Sequence, residues 1–200
     1  MKKNIEILEN KILSKRWATL HEVTYKYPKK NGETQILNRE VYDKGDGSAI
    51  ILYNLEKKTI ILTKQFRMPA YLKGGNSGYM IEACAGLLDD LSPEACIVKE
   101  TLEETGYKIE NPKKLFQSFM IAGAVTEVIH CFIAPYSDKM KIQKGGGLEE
   151  EGEEIEILEV EFDKAYGMIA SGEITDAKTI LILQHMKIQK IMEYPYKKLS

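Results

Sequence analysis

No stretch of this 200-residue chain is apolar over the roughly 20 residues that a helix needs to span a bilayer, so no membrane partner is expected. Charge of one sign is equally scarce: 28 basic side chains stand against 30 acidic ones, a net charge of −2. A chain so balanced has no long-range field for nucleic acid or an anionic membrane, and a polyanionic ligand would need locally placed cations or metal ions. Cysteine is sparse too. Cys84, Cys96 and Cys131 are odd in number and lack metal-type spacing, which points to buried free thiols in a reducing cytoplasm rather than a disulfide framework. The opening MKKNIEILENKILSK has two lysines but is broken by charges, unlike a signal peptide, so a cytoplasmic location is expected. What remains, 44% hydrophobic and 29% charged, suits a globular chain with one full core and a small sheet appended. There is no internal repeat.

Residues 5 to 42 alternate apolar and polar positions. Ile5 and Ile7, then Thr19, Val23 and Tyr25, then Arg39 to Tyr42 read as three strands, with KKNG at 29–32 as a turn. Such an antiparallel unit is too small to be stable alone and should pack on something, a second copy of the chain being the natural choice. The expected organisation is an N-terminal dimerisation sheet over 1–44 and a main domain over 45–200. Ser48 to Asn54 and Thr59 to Gln65 are apolar strands around a charged turn; residues 66–71 leave the second as a loop, and 73–78 form a turn. Strand 79–84 feeds AGLLDDLSPEACIVKETLEETGY, a loop and helix at 85–107. Strands follow at 115–120 and 128–134, then a loop at 139–154 carrying a glycine triplet and an acidic run, and a strand at 156–161. A short helix at 162–171 is closed by Gly172, and Asp176 caps a last helix over 177–193. Mixed strands flanked by helices predict an α/β sandwich with a mixed sheet.

The helix within 92–106 carries the chemistry. Ser92-Pro93 is an N-cap with a first-turn proline, and Gly106 occupies the C′ position. Glu100, Glu103 and Glu104 share one face, with Ala95, Val98, Leu102 and Thr105 expected to pack inward on the other. Three anions relieved only by Lys99 suit a hard, oxygen-preferring cation such as Mg²⁺ or Mn²⁺. Taken alone, such a run is more often a solvated acidic face.

Context changes that balance. The stretch resembles the Nudix box, G-x5-E-x7-R-E-U-x-E-E-x-G-U with U aliphatic. Glu100, Glu103, Glu104 and Gly106 fall on its E-x2-E-E-x-G core, and Glu82, Ala83, Ala85 and Gly86 on the E-x-P-A-G lead-in of the nucleotide-sugar branch. Three departures stand out. The loop after Gly86 is one residue short, the first box glutamate has no counterpart near Leu91-Ser92, and Lys99 replaces an arginine, keeping charge without the bidentate fork. KILS at 11–14, NREVYDKG at 38–45, QFR at 65–67, AGLLD at 85–89, GGG-L-E at 145–149 and SGEI-x-D-x-KT at 171–179 are similar to the Nudix enzymes that cleave GDP-mannose. ADP-ribose pyrophosphatases are the next group. The likeness covers the whole chain.

This resemblance implies a Nudix α/β/α sandwich and hydrolysis of a nucleotide sugar's pyrophosphate, GDP-mannose to GMP and mannose 1-phosphate, with ADP-ribose to AMP and ribose 5-phosphate as the alternative. It implies a homodimer that shares its N-terminal sheets. As metal ligands it implies Glu100, Glu104, the Ala85 carbonyl and a loop glutamate, with Glu103 a ligand or a partner beside them. Alignment on the following Ile155 points to Glu153 in the loop, and Glu149, Glu150, Glu151 and Glu154 stay candidates because the loop is two residues longer than in the group it resembles; Glu153 would be ligand or base. The loop itself reads either as a disordered acidic segment or as a lid that orders over substrate. For substrate the resemblance implies Asn38, Arg39, Glu40, Glu127 and Lys178, together with Ala85, Gly86, Leu87 and Glu104. Arg67 reads as a phosphate clamp over a surface arginine. Trp17 either stacks on a base bound by the partner subunit or is buried in the dimer interface. IAGAVTE at 121–127 replaces the more usual S-P-G-G-V-T-E, and His21, His130 and His185 are isolated and read as structural. Two other classes stay open: a Nudix-fold sensor that binds a nucleotide without turnover, and a purely structural dimer.

Overall fold

A computed structural model describes residues 4–74, 77–148, 150 and 152–193. The chain divides into two compact units, Met1–Asp46 with Phe119–Val128, and Gly47–Ser118 with Ile129–Ser200.

The smaller unit is an antiparallel sheet in the order β1 (Glu6–Lys15), β2 (Thr19–Pro28), β3 (Thr34–Asp43). The β2–β3 turn forms where KKNG predicts it: Lys29 N–H donates to the Glu33 carbonyl at 2.8 Å. The β2–β3 register runs unbroken from Thr19 opposite Asp43 to Pro28 opposite Thr34, whereas β1 slips twice against β2. All ten positions of β1 are exposed, so both its polar and its apolar side chains face outward within this unit. Residues 119–128 join the sheet through the edge of β3. Tyr42 N–H donates to the Ala124 carbonyl at 2.8 Å, Thr126 N–H to the Tyr42 carbonyl at 3.1 Å, and the Thr126 hydroxyl to Asp43 at 2.8 Å.

The larger unit is built on a mixed sheet. Its strands are β4 (Gly47–Asn54), β5 (Thr59–Phe66), β6 (Tyr79–Glu82), β7 (Cys84–Leu87), β8 (Lys113–Phe119), β9 (Val128–Pro135) and β10 (Glu156–Glu161), in the order β10-β5-β4-β9-β8 with β6 on β5 and β7 on β4. β4 is central, antiparallel to β5 and parallel to β9. Successive side chains of a strand point to opposite faces, and nearly all of β4 is buried; a continuous apolar run is what a strand covered on both faces requires. Ile50, Leu52, Ile61, Cys84 and Phe132 form one core with Ile97 of helix α2 (Pro93–Glu100). Helix α3 (Phe162–Ser171) follows β10. Helix α4 (Ala177–Ile188) packs on β4, and its buried Ile182, Leu183 and Met186 stand outside that cluster. Helices therefore cover both faces, the expected α/β sandwich. All three cysteines are free and buried.

Two local expectations are corrected. Residues 66–71 are not a plain loop: a short helix, α1 (Met68–Lys73), forms there, with Pro69 in its first turn where a missing N–H is harmless. The last helix ends at Ile188, not 193. Lys190 takes the left-handed conformation at φ 54, and Ile191 N–H returns to the Met186 carbonyl at 3.0 Å. Ile191 keeps the apolar period and is buried, yet belongs to this closing motif.

Candidate active site

Helix α2 begins as its residues predict, with the Ser92 hydroxyl accepting from Ala95 N–H at 3.2 Å and Pro93 in the first turn. It does not run unchanged to Gly106. Thr101–Thr105 open into a π-helical turn, closed by Gly106 at φ 77. Threonine hydroxyls support the wider turn: Thr101 Oγ1 donates to the Ile97 carbonyl at 2.6 Å and Thr105 Oγ1 to the Thr101 carbonyl at 2.5 Å. The inward face differs from the expected one. Cys96, Ile97, Thr101, Glu104 and Thr105 are buried, while Ala95 is exposed and Val98 and Leu102 are half-buried. Hydropathy passes over this stripe because three of its five residues are polar.

Glu104 is therefore a core residue, 1% exposed. Its Oε2 accepts from Ala85 N–H at 3.2 Å. Burial, above all, pushes its carboxyl up to about 8; the nearby Glu153 and Glu100 add to this, and bonds from Cys84 and Ala85 oppose it only in part. Glu100 lies directly over Gly86, where a Cβ would come within 2.2 Å of its carboxyl carbon and would displace the Glu100 side chain. Burial and the neighbouring Glu103 and Glu153 raise the Glu100 carboxyl as well, against the pull of Lys99. Lys99 binds Glu103 at 2.9 Å and stands 3.6 Å from Glu100, bridging the pair as a point charge.

The glycine triplet secures the acidic loop. Gly146 and Gly147 N–H groups donate to the carbonyls of Glu104 and Glu103 at 2.8 and 3.2 Å, sealing the end of the carboxylate helix. A Cβ on Gly145 would fall 2.6 Å from the Thr105 carbonyl carbon, and one on Gly147 2.6 Å from Glu153 Oε2. These glycines permit the close approach of the loop to the end of the helix. Glu153 then returns, its Oε2 accepting from Leu148 N–H at 3.1 Å, close enough for its charge to raise both Glu100 and Glu104. Glu150 and Glu154 are exposed, and Glu149 and Glu151 lie outside the described residues. Among the described residues no three His, Cys, Asp or Glu side chains converge into a ready-made cage. The donor set still fits a hard divalent cation, being all oxygen, partly buried and mutually repelling in a way that such an ion relieves.

Beside this set lies a second, charge-balanced junction. Glu82 ends β6 with its side chain 4% exposed. Arg67, at the head of α1, grips it with two bonds, Nε to Oε1 at 2.7 Å and Nη2 to Oε2 at 3.0 Å. Lys178 Nζ donates to the same Oε2 at 2.6 Å and pairs with Asp176 at 3.0 Å. Asp176 caps α4 through Thr179 N–H at 3.0 Å, and Thr179 Oγ1 accepts from Ala83 N–H at 2.6 Å. Burial works against every charge here, yet Arg67 and Lys178 hold the Glu82 carboxyl below its ordinary value, and Glu82 holds both cations above theirs. Arg67 and Lys178 were each expected on their own; the carboxylate that joins them was missed. One signal was legible: a lysine in the first turn of a helix opposes the helix dipole and needs an anionic partner.

Leu87 ends β7 in the larger unit, half-buried. Trp17, Asn38, Arg39, Glu40 and Glu127 belong to the smaller unit. Asn38, Arg39 and Glu40 lie on β3; the Arg39 guanidinium donates to the Asn38 carbonyl at 2.7 Å, and Asn38 to Thr24 Oγ1 at 3.2 Å. Arg39 and Glu40 help to wall a groove of about 500 Å³ whose other side is Phe119 and residues 122–126. Glu127 is buried and ion-paired to Lys44, whose ammonium also stands 5.9 Å from the centre of the Trp17 ring. Trp17 is 70% exposed. The unit thus gathers Trp17 and Glu127 around Lys44, a cation the sequence reading did not single out. His21 bonds Asn10 at 2.8 Å, and His185 packs on Phe116, in keeping with structural roles.

Two family models match the chain. One, described as the GDP-mannose pyrophosphatase NudK N-terminal domain, covers residues 4–42; the other, the NUDIX domain, covers residues 43–180. Over 193 residues the chain is 48% identical to a GDP-mannose pyrophosphatase of Escherichia coli (strain K12), spanning 96% of this chain and 100% of the relative. It is 47% identical, with the same coverage, to a GDP-mannose pyrophosphatase of Cronobacter sakazakii (strain ATCC BAA-894).

Proposed function

The chain belongs to the Nudix family, and from that premise we propose that it hydrolyses the pyrophosphate of a nucleotide sugar, converting GDP-mannose and water to GMP and mannose 1-phosphate. Enzymes of this family generally use divalent metals; here the ion is Mg²⁺, with Mn²⁺ able to replace it. Glu100, Glu104, Glu153 and the Ala85 carbonyl would hold it, with Glu103 steadied alongside by Lys99. A divalent ion at such a site screens the diphosphate and lowers the pKa of attacking water. The observation that carries the reading is Glu104, a carboxyl buried beside two further carboxylates and pushed up to about 8. Arg67 and Lys178 bind the phosphates. Arg67 is suited to this because a guanidinium has five N–H donors and Glu82 takes only two.

The smaller unit, on this proposal, supplies nucleotide recognition through Trp17, Asn38, Arg39, Glu40 and Glu127, and joins two copies through its sheet. Support comes from β1, where Ile7 and Ile12 are 58% and 54% exposed on a strand with no buried position; a second copy would cover them. Among the described residues no helix is long and apolar enough to cross a membrane. A cytoplasmic location is proposed from the buried free thiols.

Phosphate release coupled to a phosphatase, run with Mg²⁺ and with EDTA on GDP-mannose and ADP-ribose, tests the assignment. Mg²⁺-dependent release with kcat/KM higher for GDP-mannose is expected. Binding without release would instead identify a sensor. Light scattering across a dilution series tests the dimer, and a monomer at micromolar concentration would overturn it.

A further inference from the structure

Building on the hydrolase reading above, we propose that Glu82 is a positioning residue for the substrate's diphosphate, acting through Arg67 and Lys178. One carboxylate oxygen, Oε2, receives both Arg67 Nη2 and Lys178 Nζ, at 3.0 and 2.6 Å. Two cations so close repel one another unless an anion lies between them, so Glu82 is what brings them together.

It also orients them. Glu82 takes the Nε–Nη2 edge of the guanidinium, and because that group is a rigid planar fork, Nη1 and the second Nη2 hydrogen are directed away from Glu82. The Arg67 side chain is 41% exposed and has these donors unspent on Glu82, whereas Lys178 is 12% exposed and spends two of its three N–H bonds on Glu82 and Asp176. Two cations and two anions leave the junction without net charge. Its hold on an anionic ligand therefore depends on where the unspent donors point, and Glu82 determines that direction.

The junction is fastened to the carboxylate site along the chain. Ala83, next to Glu82, has its N–H fixed by Thr179, and Ala85 has its N–H fixed by Glu104. Arg67 lies near enough to Glu104 to feel its charge. A substrate phosphate gripped by Arg67 is thereby set at a defined place relative to the metal-ligating carboxylates.

The test is steady-state hydrolysis of GDP-mannose at saturating Mg²⁺. Glu82→Gln keeps the side chain's shape but turns an N–H donor toward one of the cations. It is expected to raise KM about tenfold while kcat changes by less than about threefold. Glu82→Asp, which keeps the charge with a shorter reach, should fall between, and it carries the same comparison if the glutamine variant does not fold. In an Arg67→Ala background, the Glu82 substitution should add little to the rise in KM, since its effect passes through Arg67. A structural role alone would lower the active fraction, so that kcat falls, KM stays fixed, and the Arg67 and Glu82 effects multiply. That pattern, or an unchanged KM in both Glu82 variants, overturns the inference and leaves the hydrolase reading intact. A wild-type protein inert toward both GDP-mannose and ADP-ribose overturns the hydrolase reading, and the inference with it.

Discussion

Glu82 and Glu104 are both buried carboxylates of the larger unit, 3% and 1% exposed, yet the protein treats their charges in opposite ways. Glu82 is enclosed by Arg67 and Lys178, and despite its burial its carboxyl sits below the ordinary value. Glu104 has a backbone N–H and a thiol as donors and further carboxylates as neighbours, and its carboxyl is pushed up to about 8. Burying an ion is costly unless it is paired. The contrast separates a carboxylate whose charge the fold itself balances from one placed to be balanced by something bound. On the proposed function, one junction holds and aims cations toward an anionic ligand, and the other concentrates oxygen donors for a cation.

The comparison breaks most visibly in activity. Glu104→Gln removes a carboxylate proposed as a metal ligand and is expected to lower kcat for GDP-mannose by at least about a hundredfold, with unfolding by urea in EDTA showing no loss of stability. A variant retaining near-wild-type kcat would put Glu104 outside the reaction. Stability should respond in the opposite sense at the other carboxylate. Glu82→Gln strips the shared anion from two partly buried cations, and a loss of about 3 kcal/mol in urea melts is expected; an unchanged midpoint would mean that Arg67 and Lys178 find other partners.

Dependence on pH sharpens the contrast. Glu104 moves from 4.5 in the unfolded chain to about 8 in the folded one, so between those values the folded state holds a proton that the unfolded state has shed. Its contribution to stability is present at low pH and is lost as pH rises from about 4.5 to 8. Glu82, with its carboxyl depressed, contributes stability above its ordinary value and loses it as pH falls through the lowered one. Urea melts in EDTA across this range should show the Glu104 slope in the wild type and a flatter profile in Glu104→Gln. The smallest effect is expected at Lys99. Its side chain is 48% exposed, and replacing it by alanine should cost no more than about 0.5 kcal/mol, measured by the same melts.

Much of this was legible in the residues. The apolar runs of β4 and β5, the three N-terminal strands and the Ser92-Pro93 cap each carry a local signature, and each forms where that signature lies. What escaped reading is non-local or polar. The Glu82 junction joins residues 67, 82, 176 and 178, brought together only when β6 and α4 pack. The buried stripe of the carboxylate helix is masked by Thr101, Glu104 and Thr105, whose polar groups are satisfied by partners invisible in sequence. The glycine triplet reads as flexible composition in the sequence, and its bonds to Glu103 and Glu104 appear only in the fold.

Formation of GMP and mannose 1-phosphate from GDP-mannose by wild type and Glu104→Gln, each with Mg²⁺ and with EDTA, measures the whole account at once. It predicts turnover to GMP and mannose 1-phosphate in the wild type with Mg²⁺ alone. Equal turnover in EDTA, or undiminished turnover in Glu104→Gln, would contradict it.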